Sequence, residues 1–153
     1  MPTIHFEVQS SLAPEALLAA LTDFGPSRAE VWPNIDSAHF KLHDQGPGWA
    51  EVTEGSSVAG GVWERERYTW NAGAGAVAIE TLDSNTWGPG SRWDYRLTPA
   101  TAGGTRVEVT AVRNGKGWKG RLIGAGLAVA GAGTLQSQME QALGRVSPGQ
   151  GDR

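Results

Sequence analysis

One short run of alternating charges, VWERERYTW, contains the residues best suited to acid–base chemistry. In an extended strand, Glu64, Glu66, Tyr68 and Trp70 point to the same face. Two large rings favour burial of that face, and a carboxyl group buried beside them would have a raised pKa, suited to general acid–base catalysis. One alternative stays open, in which the strand extends beyond any covering helix and both faces carry solvated cross-strand ion pairs.

A second candidate acid lies in LDSNTW, which follows a run of alternating apolar residues. If the strand that contains Ile79 continues this far, its inward face carries Asp83, Asn85 and Trp87. Asp83 and Asn85 could equally cap a turn through hydrogen bonds to the backbone. The candidate proton donors and acceptors are therefore Glu66 and Asp83, with Asn85, Tyr68 or Arg65 as groups that polarise a carbonyl.

Aromatic residues are the next possible source of a binding site. The chain has seven tryptophans among 153 residues. Trp87, Trp93 and Tyr95 could form an aromatic wall suited to planar polycyclic ligands. Ordinary core packing is the alternative, because most aromatic side chains lie in protein cores.

The sequence indicates neither a metal site nor a cofactor. It has no cysteine, which excludes thiolate chemistry and cysteine-based metal sites. His39 and His43 would be about 13 Å apart along a strand, too far to bind one ion. Gly73–Ala78 matches a dinucleotide-binding spacing, but it lies between a charged strand and an alternating one, so it predicts a hairpin turn.

Charge and composition limit the partners and the location. Net charge is −3 and the 13 basic residues are scattered, so we expect no nucleic-acid partner. The uncharged stretch Leu122–Leu135 is shorter than the about 20 residues that span a membrane. Because the first ten residues lack signal-peptide features and cysteine is absent, we expect a cytoplasmic protein. The oligomeric state is left open.

Periodicity predicts an α+β domain at residues 1–146, followed by a disordered tail at 147–153. Residues 3–9 alternate with period two, and two short helical segments follow, the first with Pro14 in its first turn. Between residues 38 and 113, six short runs separated by Gly, Pro and Asn indicate consecutive antiparallel strands. From Trp118 onward, apolar residues recur every three or four positions, which predicts a helix of about 28 residues. A seven-stranded antiparallel sheet would curve around that helix.

The order of these elements resembles that of the START-like, or SRPBCC, superfamily. The resemblance covers nearly the whole chain and rests also on five phrases: AEVWPNIDSAHFKLHDQGPGWAEVTEGS, WERERYTW, LDSNTWGPGSRWDYRLTP, GGTRVEVT and GKGWKGRLIG. It implies a helix-grip fold with a cavity between the sheet and the long helix. The implied function is the binding of a hydrophobic or aromatic small molecule, such as a polyketide, a lipid or a sterol-like metabolite. The alternatives are a polyketide cyclase/dehydratase-type enzyme that uses a pocket carboxylate, and a protein-interaction module without a ligand.

The first half of the long helix is the predicted wall of this cavity. Its five glycines between Gly120 and Gly133 cost about 4–5 kcal/mol of helix propensity relative to alanine, and we predict empty volume beside them. Leu122, Ala125 and Val129 share one face with Trp118. The predicted ligand-binding residues are Glu64, Tyr68, Trp70, Ile79, Asn85, Trp87, Trp93, Tyr95, Val109, Leu122, Ala125 and Val129.

Overall fold

The computed structural model describes residues 2–32, 35–57 and 60–146. The predicted disordered tail at 147–153 lies outside these residues. The elements in chain order are β1 (Thr3–Ser10), α1 (Pro14–Leu21), α2 (Arg28–Val31), a 3-10 turn (Ser37–His39), β2 (Lys41–Gly46), β3 (Trp49–Ser56), β4 (Val62–Asn71), β5 (Ala76–Ser84), β6 (Arg92–Pro99), β7 (Thr105–Val112) and α3 (Gly117–Gly144).

All seven strands form one antiparallel sheet in the order β1-β7-β6-β5-β4-β3-β2. From β2 to β7, each strand pairs with the next one along the chain because short turns connect them. The glycine pattern at Gly73–Ala78 belongs to one of these turns, where the Gly75 N–H donates to the Ala72 carbonyl. The predicted α+β class, with seven antiparallel strands and a long C-terminal helix, is confirmed.

The core joins the inner face of the sheet to α1 and to the C-terminal half of α3. Strand β1 buries every second residue, as its period-two pattern predicts. On α3, Met139, Ala142 and Leu143 are buried. Complete burial of a large apolar side chain stabilises the fold by about 1.5–3 kcal/mol, so this half of the helix is its anchor.

The glycines in the first half of α3 do not border the cavity in the predicted way. Gly120 lies against the Thr86 carbonyl, where a Cβ would overlap the oxygen, so this glycine permits close backbone approach. Gly126 and Gly133 instead face open space and are exposed. Small residues on one flank therefore serve packing, and those on the other meet solvent.

The orientation of the first half of α3 is opposite to the prediction. Leu122 and Val129 are 67% and 90% exposed, and Ala125 is exposed too. Ile123 and Leu127, on the other side of the helix, face the sheet and line a cavity. Both sides of this segment are apolar, so periodicity alone could not decide which one is buried. No helix in the described part of the chain is long and apolar enough to cross a membrane.

Candidate functional site

A cavity of about 260 Å³ lies between the inner face of the sheet and α3. Typical ligand pockets occupy about 300–1,000 Å³, so this one suits a compact molecule. Its apolar and aromatic walls are formed by Phe6, Leu21, Trp32, Ile35, Tyr68, Ile79, Trp87, Trp93, Tyr95, Ile123, Leu127, Leu135 and Met139. Three glutamates and one arginine, described below, interrupt these walls.

The inner face of the sheet becomes polar at one level, where two neighbouring strands place three glutamates on it. Glu54 of β3 and Glu64 of β4 are paired directly across the ladder, an arrangement that like charges disfavour. Glu66 lies two residues further along β4 and is 4% exposed. The repulsion between Glu54 and Glu64 is offset because each carboxylate forms an ion pair with its own arginine.

Glu54 is held by Arg28 of α2, and we call Arg28, Glu54 and Tyr68 the Arg28 centre. The Arg28 Nε donates to Glu54 Oε1 at 2.5 Å, and its Nη2 donates to the Tyr68 hydroxyl at 2.8 Å. That hydroxyl donates to Glu54 Oε2 at 2.8 Å. The Arg28 Nη1 also donates to the backbone carbonyls of Leu21 and Asp23, at 3.1 and 2.9 Å. The centre therefore ties the segment between α1 and α2 to the sheet.

Burial lowers the pKa of Arg28, but the charges and hydrogen bonds of Glu54 and Tyr68 together more than offset this effect. The pKa of the guanidinium therefore lies above its ordinary value, and Arg28 stays charged. Its Cζ also lies 4.6 Å from the centre of the Phe24 ring, a favourable cation–π geometry.

Glu64 is held by Arg113, which follows β7, and we call Arg113, Glu64 and Thr81 the Arg113 centre. The Arg113 Nη1 donates to Glu64 Oε1 at 2.8 Å, and its Nη2 donates to the Thr81 hydroxyl at 3.2 Å. That hydroxyl donates to Glu64 Oε2 at 2.9 Å. The Arg113 Cζ lies 5.0 and 5.1 Å from the ring centres of Trp87 and Trp93, so these indoles hold the guanidinium in place.

Glu66 lies among these charges without a cation of its own. Burial raises the pKa of Glu66, and the negative charges of Glu64 and Glu54 raise it further. The positive charge of Arg113 offsets only part of this effect. Three carboxyl groups and two guanidinium groups are electrically balanced when one carboxyl keeps its proton. Glu66 is therefore a protonated carboxylic acid at pH values where an exposed glutamate has lost its proton.

Two tyrosines, the buried Tyr68 and the half-buried Tyr95, complete the polar part of the cavity. Burial raises the pKa of both Tyr68 and Tyr95, and nearby carboxylates raise both further. Both phenols are therefore neutral. The cavity presents proton-bearing groups in apolar surroundings, an arrangement that can hydrogen-bond a carbonyl oxygen and give it a proton.

The comparisons with known proteins place this site in a family. The family described as "Polyketide cyclase / dehydrase and lipid transport" matches residues 1–147. The chain belongs to this family. No curated protein matches the sequence.

Solved structures share the fold of this polyketide cyclase / dehydrase family member. TTHA0849 from Thermus thermophilus is 14% identical with a TM-score of 0.77, and covers 95% of this chain and 97% of its own. The Zhui aromatase/cyclase from Streptomyces sp. R1128 is 15% identical with a TM-score of 0.77, over 94% and 92% of the two chains. A START superfamily protein from Mycobacterium smegmatis is 12% identical with a TM-score of 0.75, over 95% and 97%. At these identities the likeness concerns the fold alone.

Several residues predicted for the site line the cavity of this family member. They are Glu64, Glu66, Tyr68, Ile79, Trp87, Trp93 and Tyr95. The inward orientation of the Glu66 and Tyr68 face of β4, predicted from its two large rings, is confirmed by burial. The role of these residues in ligand binding or catalysis stays a prediction.

Asp83 and Asn85 lie outside the cavity, which corrects the prediction from strand parity. The β4–β5 ladder pairs Arg65 with Asp83 and Glu66 with Thr81, so Leu82 is an extra, bulged residue. The bulge reverses the parity, and the Asp83 side chain is 63% exposed. The Asn85 amide binds backbone groups instead, since it donates to the Gly61 carbonyl at 2.8 Å.

Three other predicted residues also lie elsewhere. Trp70 is half-buried near Phe24, with ring centres 6.3 Å apart, and borders an open depression on the sheet rather than the cavity. Val109 is completely buried in the core and does not line the cavity. Arg65 points outward and pairs with Glu51 at 3.4 Å, so it polarises nothing in the cavity. The cross-strand ion pairs considered for β4 thus exist on its outer face.

Arg28, Glu54 and Arg113 were not among the residues predicted from the sequence. Two of them had a detectable signal, since each continues the inward parity of an apolar strand: Glu54 follows Ala50 and Val52, and Arg113 follows Val109 and Ala111. A charge at the end of such a face predicts a buried, paired group. Arg28 had no comparable signal, because a helix of four residues is too short to show a periodicity.

Proposed function

We propose that this protein binds a compact, planar and largely apolar small molecule in the cavity, through at least one carbonyl or similar acceptor. The observation that supports this most directly is Glu66, a carboxyl group buried in a cavity with aromatic and aliphatic walls, where burial and neighbouring carboxylates raise its pKa. Within the protein this acid shares a hydrogen bond with the Glu54 side chain, and a ligand carbonyl in the cavity would be a second acceptor for its proton. A neutral ligand is favoured because both buried arginines already have carboxylate partners.

The walls also favour rings over flexible chains. The indoles of Trp87 and Trp93 offer flat surfaces, and Ile79, Ile123 and Leu127 supply aliphatic contacts. The volume of about 260 Å³ suits a molecule of a few rings. The name of the family, and the aromatase/cyclase among the solved structures with this fold, agree with a polyketide-like aromatic ligand.

A second candidate function is a cyclase or dehydratase, and Glu66 is the observation that favours it. Its carboxylic acid could donate a proton to a ligand carbonyl oxygen, which makes the carbonyl carbon more electrophilic. When an enol carbon of the same ligand attacks that carbon, the new Glu66 carboxylate takes the proton that the enol releases. Glu66 thus donates one proton and takes one back, so it ends the reaction in its original protonated state.

The binding proposal can be tested with α-tetralone, a neutral bicyclic ketone, by quenching of tryptophan fluorescence. Leu127→Trp places a larger ring in the cavity, whereas Leu122→Trp makes the same change on the exposed side of α3. We expect the first variant to bind at least tenfold more weakly and the second to bind as the unchanged protein does. Equal binding by both variants would contradict the cavity as the site. Native mass spectrometry of protein purified from its own host then identifies the natural ligand.

The catalytic proposal needs a separate measurement. Exchange of the α-protons of α-tetralone with deuterated water, followed by NMR, reports enolisation directly. We expect Glu66→Gln to keep the affinity within a few fold and to lower the exchange rate by a factor of about 10²–10⁴. If the unchanged protein binds the ketone without accelerating exchange, binding alone is the function.

A further inference from the structure

The outward side of the first half of α3 is an uncovered apolar surface. Trp118, Leu122 and Val129 are 80%, 67% and 90% exposed, and Ala125 lies exposed between them. At about 100° per residue these four side chains form one continuous stripe, which we call the outer face of α3. Large exposed apolar side chains grouped in this way mark an interaction surface.

The charges around this face all have one sign. Lys119 and Arg121 lie roughly 90° to either side of the stripe, and α3 has no acidic residue before Glu140. Among the described residues, neither Lys119 nor Arg121 has a carboxylate oxygen within 4.0 Å. Arg121 is exposed, whereas Lys119 is half-buried and its Nζ donates to the Gly61 carbonyl at 3.5 Å. Lys116, just before the helix, is 4.0 Å from Asp83 and so is partly compensated. The surface thus combines an apolar stripe with two uncompensated cations, in a chain whose net charge is −3.

We propose that the outer face of α3 docks this protein onto an anionic lipid surface. The indole and the two aliphatic side chains can insert between acyl chains at the boundary of a bilayer. The basic residues beside them can bind the phosphates of anionic headgroups. A second copy of the chain is the less suitable occupant. A two-fold contact through this stripe would place four cations in one interface, and α3 offers no acidic residue before Glu140 to pair with them.

Docking in this orientation would bring the cavity next to the lipid. Ile123 and Leu127, on the opposite side of the same helical turns, form the cavity wall. One half-helix would then separate the bilayer from the cavity. The proposal does not depend on what the cavity binds, because the four residues of the outer face lie outside it.

Vesicle sedimentation of the full chain tests this proposal, with vesicles of phosphatidylcholine alone or mixed with phosphatidylglycerol. Lys119→Gln with Arg121→Gln removes the two cations, and Arg92→Gln with Arg96→Gln removes two exposed cations from the outer side of the sheet as the matched control. Trp118→Ser with Leu122→Ser removes the apolar contact, and Leu82→Ser, at a side chain that is 44% exposed, is its control. Far-UV circular dichroism verifies that each variant is folded.

We expect binding to the anionic vesicles, weakened by salt, and little binding to phosphatidylcholine alone. The double charge variant should bind about 25-fold more weakly, since each basic residue contributes about fivefold. The apolar variant should lose at least tenfold, and both controls should bind unchanged.

Three outcomes would overturn the proposal. The first is no sedimentation with anionic vesicles at low salt, and the second is an equal loss in the control variants. The third is self-association without vesicles that Trp118→Ser with Leu122→Ser abolishes, because a second copy would then occupy the face.

Discussion

The two buried arginines differ in what they hold together. Arg28 binds two backbone carbonyls between α1 and α2 as well as Glu54 and Tyr68. Arg113 binds side chains of β4 and β5 and the carbonyl of Val112 next to it. The Arg28 centre therefore connects a helical segment to the sheet, whereas the Arg113 centre fixes one carboxylate within the sheet.

A buried arginine–glutamate pair can therefore stabilise the fold in one place and hold a side chain of the cavity in position in another. Breaking the Arg28 centre leaves Glu54 with only the Tyr68 hydroxyl as a donor, and it also removes the donor to the carbonyls of Leu21 and Asp23 in a second part of the molecule. Breaking the Arg113 centre leaves Glu64, which keeps its hydrogen bond from Thr81 and is 14% exposed. We therefore expect the first arginine to affect stability more, and the second to affect mainly the carboxyl groups of the cavity.

Arg28→Met should have the largest effect. Removal of one partner from a buried ion pair costs about 3–5 kcal/mol in the free energy of unfolding, measured here by urea denaturation. The double variant Arg28→Met with Glu54→Leu should recover much of this loss, because it removes both charges. If Arg28→Met lowered the free energy of unfolding by less than Arg113→Met does, the Arg113 centre would be the more important of the two for stability.

Arg113→Met should cost less, about 1.5–3 kcal/mol, because it leaves no acceptors without a donor in a second segment of the chain, and Glu64 keeps the Thr81 hydroxyl and some access to water. Denaturation under the same conditions as for Arg28→Met gives a direct ranking. The matched surface control is Arg92→Met, at a side chain that is 61% exposed, and it should change the free energy of unfolding by less than about 0.5 kcal/mol.

Glu66→Gln should change the pH dependence of stability more than stability itself. The pKa of Glu66 is raised in the folded protein, so the folded state keeps a proton that the unfolded chain releases. The contribution of Glu66 is complete below the pKa of the unfolded carboxyl and is lost as pH rises toward the folded pKa, by up to about 1.4 kcal/mol per pH unit.

The glutamine variant should lack this slope, which denaturation at several pH values can measure. Glu80→Gln, at an exposed position on β5, should retain it. Parallel curves for Glu66→Gln and the unchanged protein would mean that Glu66 is ionised in the folded state.

Thr81→Val should have the smallest effect, about 1 kcal/mol, because it removes one hydroxyl that bridges Arg113 and Glu64 while keeping the shape of the side chain. Denaturation of Thr110→Val, at a half-buried threonine whose hydrogen bond with His5 is exposed to solvent, provides a comparison with a hydroxyl outside the core. A loss as large as that of Arg113→Met would show that the threonine, not the arginine, fixes Glu64.

The order of strands and helices could be predicted because each element obeys one simple period. Period two in β1 and β4, and punctuation by Gly and Pro, were sufficient to place seven strands and three helices in the described part of the chain. The inward side of β4 was predictable because Tyr68 and Trp70 both need burial. Parity fails only where a strand departs from regular geometry, as β5 does at Leu82.

The orientation of α3 was not predictable from its first half, but its second half contains the missing information. The buried Met139 and the partly buried Leu135 continue toward the N-terminus in steps of four, through Gly131 and Leu127 to Ile123. That row, rather than the stripe with the largest side chains, faces the sheet. The row includes a glycine, and a glycine carries no hydrophobic signal although it lies on the buried side.

The bulge in β5 has an evolutionary consequence. Thr81 and Ser84 both point inward, with two outward residues between them. Loss of the Leu82 codon would leave a regular strand in which Thr81 and Ser84 keep their orientation, with Asp83 alone pointing outward. The strand can therefore lose one residue without a change in the chemistry of the cavity, so length variation at this position is compatible with inheritance of the same site.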